Sequence, residues 1–134
     1  MPVARILVID DNEAFRASIS DLLEGVGYYV ATAADGEDGV KQFSDAPFDL
    51  VVCDLIMPRK DGLETISDVL KIAPTTPIIS TTGYSDPRSP VDVKALQGSY
   101  LAAAQALGAT HTLIKPFDPD EFLALVRQCL ATGS

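Results

Sequence analysis

The stretch Phe48-Asp49-Leu50-Val51-Val52-Cys53-Asp54 decides the fold of this chain. Leu50 to Cys53 are apolar without a break, and the run ends on a carboxylate. Successive side chains on a strand point to opposite faces. A strand that is apolar on both faces therefore needs cover on both. That is the mark of a parallel sheet with helices packed on each side.

Working outward, the same signature recurs. Upstream lie Ile6-Leu7-Val8-Ile9 and Tyr28-Tyr29-Val30-Ala31-Thr32-Ala33; downstream lie Pro77-Ile78-Ile79-Ser80-Thr81 and the strand from Thr110 to Ile114. Helix-period segments separate them. Phe15, Ile19, Leu22, Leu23 and Val26 recur at helical spacing, with Gly25 and Gly27 as the stop. Asp35-Gly36-Glu37-Asp38 opens a short helix carrying Val40 and Phe43. Asp61 caps a helix with Glu64 three places on, and Leu63, Ile66, Val69 and Leu70 form its apolar face. Tyr100 to Leu107 is helical and stops at Gly108. The last helix has Asp118 as cap and Pro119 at its first position, with Phe122, Leu123, Val126 and Leu130 inward. Ser85–Ser99, interrupted by Pro87, Pro90 and Gly98, reads as a loop. Five strand-then-helix repeats give an α/β fold, a doubly wound five-stranded parallel sheet, and the flavodoxin-like order 2-1-3-4-5 is the expectation for it. One domain is expected over residues 1–134.

Bulk properties narrow the function classes. The chain has 134 residues, a formal net charge of −9 and a pI near 4.3. An acidic surface repels nucleic acid and anionic membrane, so neither is expected as a partner. No apolar run reaches the ~18 residues of a membrane span. The first ten residues run directly into an acidic pair and read as a strand rather than a secretory signal. Cys53 and Cys129 make no metal-ligand spacing and suit a reduced, cytoplasmic setting.

In open α/β sheets ligands bind beyond the carboxyl ends of the strands. Those ends carry Asp10 and Asp11, Asp54, Thr81 and Thr82, and Lys115, whereas strand two ends on Ala33-Ala34. Each residue alone has an ordinary reading: Asp11 or Asn12 as a helix cap, Asp54 and Thr82 as strand-end residues, Lys115 as a solvated lysine. Their conjunction is different. Three carboxylates in one pocket repel, and two unit charges ~4 Å apart cost about 4 kcal/mol at an effective dielectric of ~20. Lys115 offsets one charge and a divalent ion would offset two. Mg²⁺ favours one or two carboxylates together with a phosphate, and an aspartate can act as nucleophile toward a phosphoryl group.

These residues are similar to those of the response-regulator receiver domains of two-component signalling. The matching pieces are Ile6-Leu7-Val8-Ile9-Asp10-Asp11-Asn12, Asp54-Leu55-Ile56-Met57-Pro58-Arg59-Lys60-Asp61-Gly62, Thr81-Thr82-Gly83 and Lys115-Pro116-Phe117. The resemblance implies that Asp54 is the phosphoacceptor for a sensor histidine kinase or histidine phosphotransfer protein. It implies that Asp10, Asp11, Asp54 and the backbone carbonyl of Ile56 hold Mg²⁺ or Mn²⁺. Lys115 would pair with the phosphoryl oxygens and Thr82 would hydrogen-bond them. A cis Lys115-Pro116 peptide and a downstream protein target are implied too. Two features depart from the family. Thr112 stands where a switch Tyr or Phe is usual, for which Tyr84 is an alternative, and the segment between Thr82 and Lys115 is longer than usual.

Other residues read as structural: His111 at the start of strand five, and Tyr28 and Tyr29 in strand two. Cys53 should face away from Asp54. An aspartyl phosphohydrolase is the enzymatic alternative, but Asp54 is followed by Leu55 and Ile56 where such enzymes carry an acid two residues on. A binding switch, not an enzyme, is expected. A receiver-like scaffold that takes no phosphate is the third possibility. The chain reads as a stand-alone regulator more readily than as a portion of a longer protein.

Overall fold

The computed structural model describes residues 3–55, 61–82 and 102–132. Five strands alternate with helices: β1 (Arg5–Ile9), α1 (Glu13–Gly25), β2 (Tyr29–Ala33), α2 (Gly36–Asp45), β3 (Leu50–Asp54), α3 (Gly62–Ile72) and β4 (Ile78–Thr82). Residues 102–107 are helical (α4), followed by β5 (His111–Ile114) and α5 (Pro119–Thr132). All neighbouring strands pair in parallel, in the order β2-β1-β3-β4-β5. The doubly wound sheet expected from the apolar runs is the observed fold.

Alternation along the strands divides the core into two layers. Leu7, Ile9, Val51, Cys53 and Ile78 face one side, where Phe43, Ile66, Val69 and Ala104 cover them. Ile6, Val8, Leu50, Val52 and Ile79 face the other, under Ile19, Leu23, Phe122 and Val126. Helices α2, α3 and α4 thus cover one face, and α1 and α5 the other. Burial on both faces holds for β1, β3 and β4. The edge strands β2 and β5 are only partly buried, because each has a neighbour on one side alone.

The helix boundaries follow local chemistry. The side chains of Asn12, Asp35 and Asp61 accept hydrogen bonds from the backbone N–H of Phe15, Asp38 and Glu64, each relieving an orphan donor of a first turn. Asp118 does the same for Asp120. Gly27 and Gly108, at φ 101° and 117°, turn the chain after α1 and α4 in a backbone region that other residues enter at a cost. Asp61 is therefore the cap that the sequence indicated. β3 ends on Asp54, as the sequence indicated, and the next residue is still held to β4 by Leu55 N–H donating to the Thr81 carbonyl at 2.9 Å.

The sequence did not reveal why Gly62 follows Asp61. A Cβ at Gly62 would sit 2.2 Å from the Asp54 carbonyl oxygen and 2.4 Å from Leu55 Cα. The start of α3 is pressed against the backbone that carries Asp54, and Gly62 N–H donates to the Leu55 carbonyl at 3.0 Å. No helix among the described residues is long and apolar enough to cross a membrane.

Two predictions follow from this packing. Gly62→Ala forces backbone apart and should cost more than the ~1–3 kcal/mol typical of overpacking. Gly39→Ala meets a side chain rather than backbone, with Ile9 Cδ1 and Cγ1 at 2.5 and 2.9 Å from the added Cβ, and should cost less; urea titration of both variants gives the order. Cys53 is fully buried, and desolvation, followed by the charges of Asp54, Asp10 and Asp61, pushes its thiol well above the ordinary range. Raising the pKa depletes the thiolate, which is the reactive form. Iodoacetamide at pH 8 should therefore leave native Cys53 unlabelled and label it after denaturation, as read by peptide mass spectrometry.

Candidate phosphoryl and metal site

The two-layer alternation carries past the ends of the strands and brings the acidic residues together. Asp10 follows Val8 by two residues, Asp54 follows Val52 and Lys115 follows Leu113, all on the face covered by α1 and α5. Because β1 and β3 are in register with Ile9 opposite Cys53, the next residues, Asp10 and Asp54, come abreast. Asp10, Asp11 and Asp54 each offer a carboxylate oxygen within 4.8 Å of the others. Asp10 and Asp54 are buried, at 1% and 4% exposure, while Asp11 opens to solvent.

Lys115 enters from the far edge of the sheet. Its Nζ donates to Asp10 Oδ2 at 2.6 Å and lies 3.9 Å from Asp54 Oδ2. The Lys115–Pro116 peptide is cis, as the resemblance implied, and Lys115 N–H donates to the Thr82 carbonyl at 3.0 Å. Among the described residues, three carboxylates gather here and one ammonium meets two of them, Asp10 and Asp54. The excess negative charge, the oxygen-only donor set and the open side at Asp11 fit a hard divalent cation. Asp10, Asp11 and Asp54 are the residues that could hold one.

β4 contributes hydroxyls. Thr82 is its last residue, and its Oγ1 is buried with no hydrogen-bond partner among the described residues. A buried polar atom left in this state costs free energy, so its retention asks for a functional reason. Thr81 Oγ1 is in the same condition. The register sets Thr81 opposite Asp54, a neighbour that sequence reading undervalued because its significance depends on strand pairing.

Several sequence expectations meet the structure in different ways. Asp10, Asp11, Asp54 and Lys115 are brought together, and Thr82 ends the adjacent strand. The Ile56 carbonyl, Tyr84, the start of the fourth helix at Tyr100 and the segment Ser85–Ser99 lie outside the described residues. Thr112 is half-buried in β5 opposite Ser80. His111 starts β5, and its backbone carbonyl accepts the Ser80 hydroxyl at 3.3 Å, so its contact is with the sheet. Cys53 joins the α2–α3 core layer, on the face away from Asp54.

Two contacts on α1 escaped the sequence reading. Arg16 Nη1 donates to the Asp10 carbonyl at 2.7 Å, and the Phe15 ring lies under the Lys115 ammonium, 3.8 Å from Nζ to the ring centroid. Phe15 had shown only the helical spacing of a core residue. Its ring also helps line a cleft of about 290 Å³ with Leu22, Pro116 and Phe117.

Comparison with known proteins agrees with this geometry. The family model described as the response regulator receiver domain matches residues 6–127. The transcriptional regulatory protein ZraR of Escherichia coli K12 is 34% identical over 126 residues, covering 94% of this chain and 26% of ZraR. The transcriptional regulatory protein DltR of Streptococcus agalactiae serotype III is 33% identical over 123 residues, covering 92% of this chain and 50% of DltR. This chain therefore spans about a quarter to a half of those relatives. Among solved structures, the Vibrio cholerae chemotaxis protein CheY4 superposes with a TM-score of 0.79 at 31% identity, over 96% of this chain and 100% of CheY4. A CheY-like receiver domain protein from Methanospirillum hungatei gives a TM-score of 0.86 at 26% identity, over 98% and 97%. The two-layered sheet, the acidic cluster at its carboxyl end and these matches together make the chain a member of the response regulator receiver domain family.

Proposed function

We propose that this receiver domain accepts a phosphoryl group on Asp54 from a sensor histidine kinase or a histidine phosphotransfer protein, and that the modification changes which downstream protein it binds. The observation that carries the reading is the meeting of Asp10, Asp11 and Asp54 oxygens within 4.8 Å, with the Lys115 ammonium 2.6 Å from Asp10 and 3.9 Å from Asp54.

In the proposed reaction an Asp54 carboxylate oxygen attacks phosphorus. The bond from phosphorus to the donor's imidazole nitrogen breaks, and the imidazole leaves with that electron pair and takes up a proton. The product is a mixed anhydride on Asp54. Such transfers depend on positioning and charge neutralisation. Mg²⁺ or Mn²⁺, held by Asp10, Asp11, Asp54 and the proposed Ile56 carbonyl, would neutralise the carboxylates and the incoming phosphoryl oxygens. Lys115 supplies a fixed positive charge beside Asp10 and Asp54. The Thr82 hydroxyl, buried without a partner among the described residues, is suited to donate to a phosphoryl oxygen that arrives beside it.

Transmission is proposed to run through the β4–β5 edge. Thr112 offers no large ring there, so the response would rest on Thr82 and on the segment after it, including Tyr84. We propose a cytoplasmic setting, in keeping with buried free thiols, and a switch without turnover of its own. Whether an output module accompanies the domain is a question of the full-length protein, as the partial coverage of ZraR and DltR underlines.

Incubation with acetyl phosphate and MgCl₂ should add one phosphoryl mass increment to the wild-type chain and none to Asp54→Asn. An unmodified wild type would sink the proposal. Mg²⁺ alone should raise the unfolding free energy by about 1.4 kcal/mol at tenfold excess over Kd. Asp11→Asn should shrink that gain and chelation should abolish it, as followed by thermal melts. Thr82→Val removes a hydroxyl that has no partner among the described residues, so in urea titration the unfolding free energy of the free protein should be unchanged or rise by up to ~1 kcal/mol. The same variant should respond more weakly to beryllofluoride with Mg²⁺ in amide NMR spectra.

A further inference from the structure

Lysine is a flexible side chain whose ammonium prefers water. Lys115 nevertheless keeps Nζ inside the sheet end, with the side chain 8% exposed. Asp10 supplies an ion pair, but a carboxylate alone does not fix the direction from which a four-carbon stem arrives. The Phe15 ring does: Nζ stands 3.8 Å above its centroid, well inside the ~6 Å within which a ring face attracts a cation.

The ring is itself held by the site. Asp10 Oδ1 accepts Asn12 N–H at 2.8 Å, and Asn12 Oδ1 accepts Phe15 N–H at 2.9 Å. Asp10 Oδ2 returns to Lys115. The loop of contacts from Asp10 through Asn12, Phe15 and Lys115 therefore closes on the same carboxylate. From the other side Phe117, two residues beyond Lys115, meets Phe15 edge-on at 6.0 Å and stacks on the buried Phe122 at 5.4 Å. The helix cap and the aromatic chain fix the ring, and the ring fixes the ammonium.

We infer that Phe15 is a positioning residue for phosphoryl capture, acting through Lys115. It supplies an uncharged attractive face that holds the ammonium toward Asp10 and Asp54. A further carboxylate would hold it too, but would add to the repulsion the site already carries. A ring gives direction without adding net charge. This role rests on the reading of Lys115 as the ion partner of the phosphoryl group.

The test has two arms. In the unphosphorylated protein labelled with ¹³C-lysine, the Lys115 ε-methylene should be shifted upfield by the Phe15 ring current. Phe15→Leu should remove that shift and Phe15→Tyr should retain it. In the second arm, the rate of phosphorylation by acetyl phosphate with MgCl₂ should fall about 2- to 30-fold in Phe15→Leu, the range a cation–π contact spans. Phe15→Tyr should recover most of the rate. In a Lys115→Ala background Phe15→Leu should cause no further fall.

An unshifted wild-type methylene would overturn the inference. So would a Phe15→Leu effect of equal size with and without Lys115, which would make Phe15 a packing residue only. If the wild type takes no phosphoryl group at all, the phosphoacceptor reading fails. The ring-current shift then still decides whether Phe15 sets the position of the ammonium.

Discussion

Lys115 and Asp10 meet at 2.6 Å although they are 105 residues apart and stand at the ends of different strand connections. The ammonium comes from the far side of β4 and β5, and the carboxylate from β1. Their contact passes over the end of β3, where Asp54 lies 3.9 Å from the same nitrogen. Burying such a pair costs desolvation that the attraction does not always return. It is therefore poor evidence for stability, but good evidence that the sheet end is organised around charge. The parallel order β2-β1-β3-β4-β5 matters here because it makes the strand ends carrying Asp10, Asp54, Thr82 and Lys115 successive neighbours.

The charge imbalance also accounts for the packing around it. Asp10 uses one oxygen for Lys115 and the other for the N–H of Asn12, so the carboxylate that receives the ammonium also begins α1. Gly62 lets α3 approach the backbone of Asp54 and Leu55 more closely than any side chain would permit. Asp10 and Asp54 are consequently buried and held by their neighbours, whereas Asp11 opens to solvent. Positioned charge is what phosphoryl transfer draws on. The hydroxyls of Thr81 and Thr82 are the exception, being buried without protein partners among the described residues.

Much of this was legible in the chain. The runs Ile6–Ile9 and Leu50–Cys53 are apolar on both strand faces, and only a covered parallel sheet accommodates that. Parity then follows: Asp10 continues the face of Val8, Asp54 that of Val52 and Lys115 that of Leu113. Asp61 and Asp118 announced their helices because capping is local chemistry. The edge strand β5, read over Thr110 to Ile114, lies at His111–Ile114 and is only partly buried, because it has one neighbour rather than two.

What sequence determined by itself was thus the alternation, the caps and the residue types at the strand ends, all of which depend on near neighbours along the chain. Tertiary structure decided which ends touch. It set Thr81 opposite Asp54, and it set the Phe15 ring under the Lys115 ammonium. Phe15 and Lys115 carry no shared pattern in the chain, because periodicity records the face a residue occupies and not the distance across a sheet to another element. Their contact exists only once α1 and the segment after β5 have packed on the same face, and that packing is a property of the whole fold.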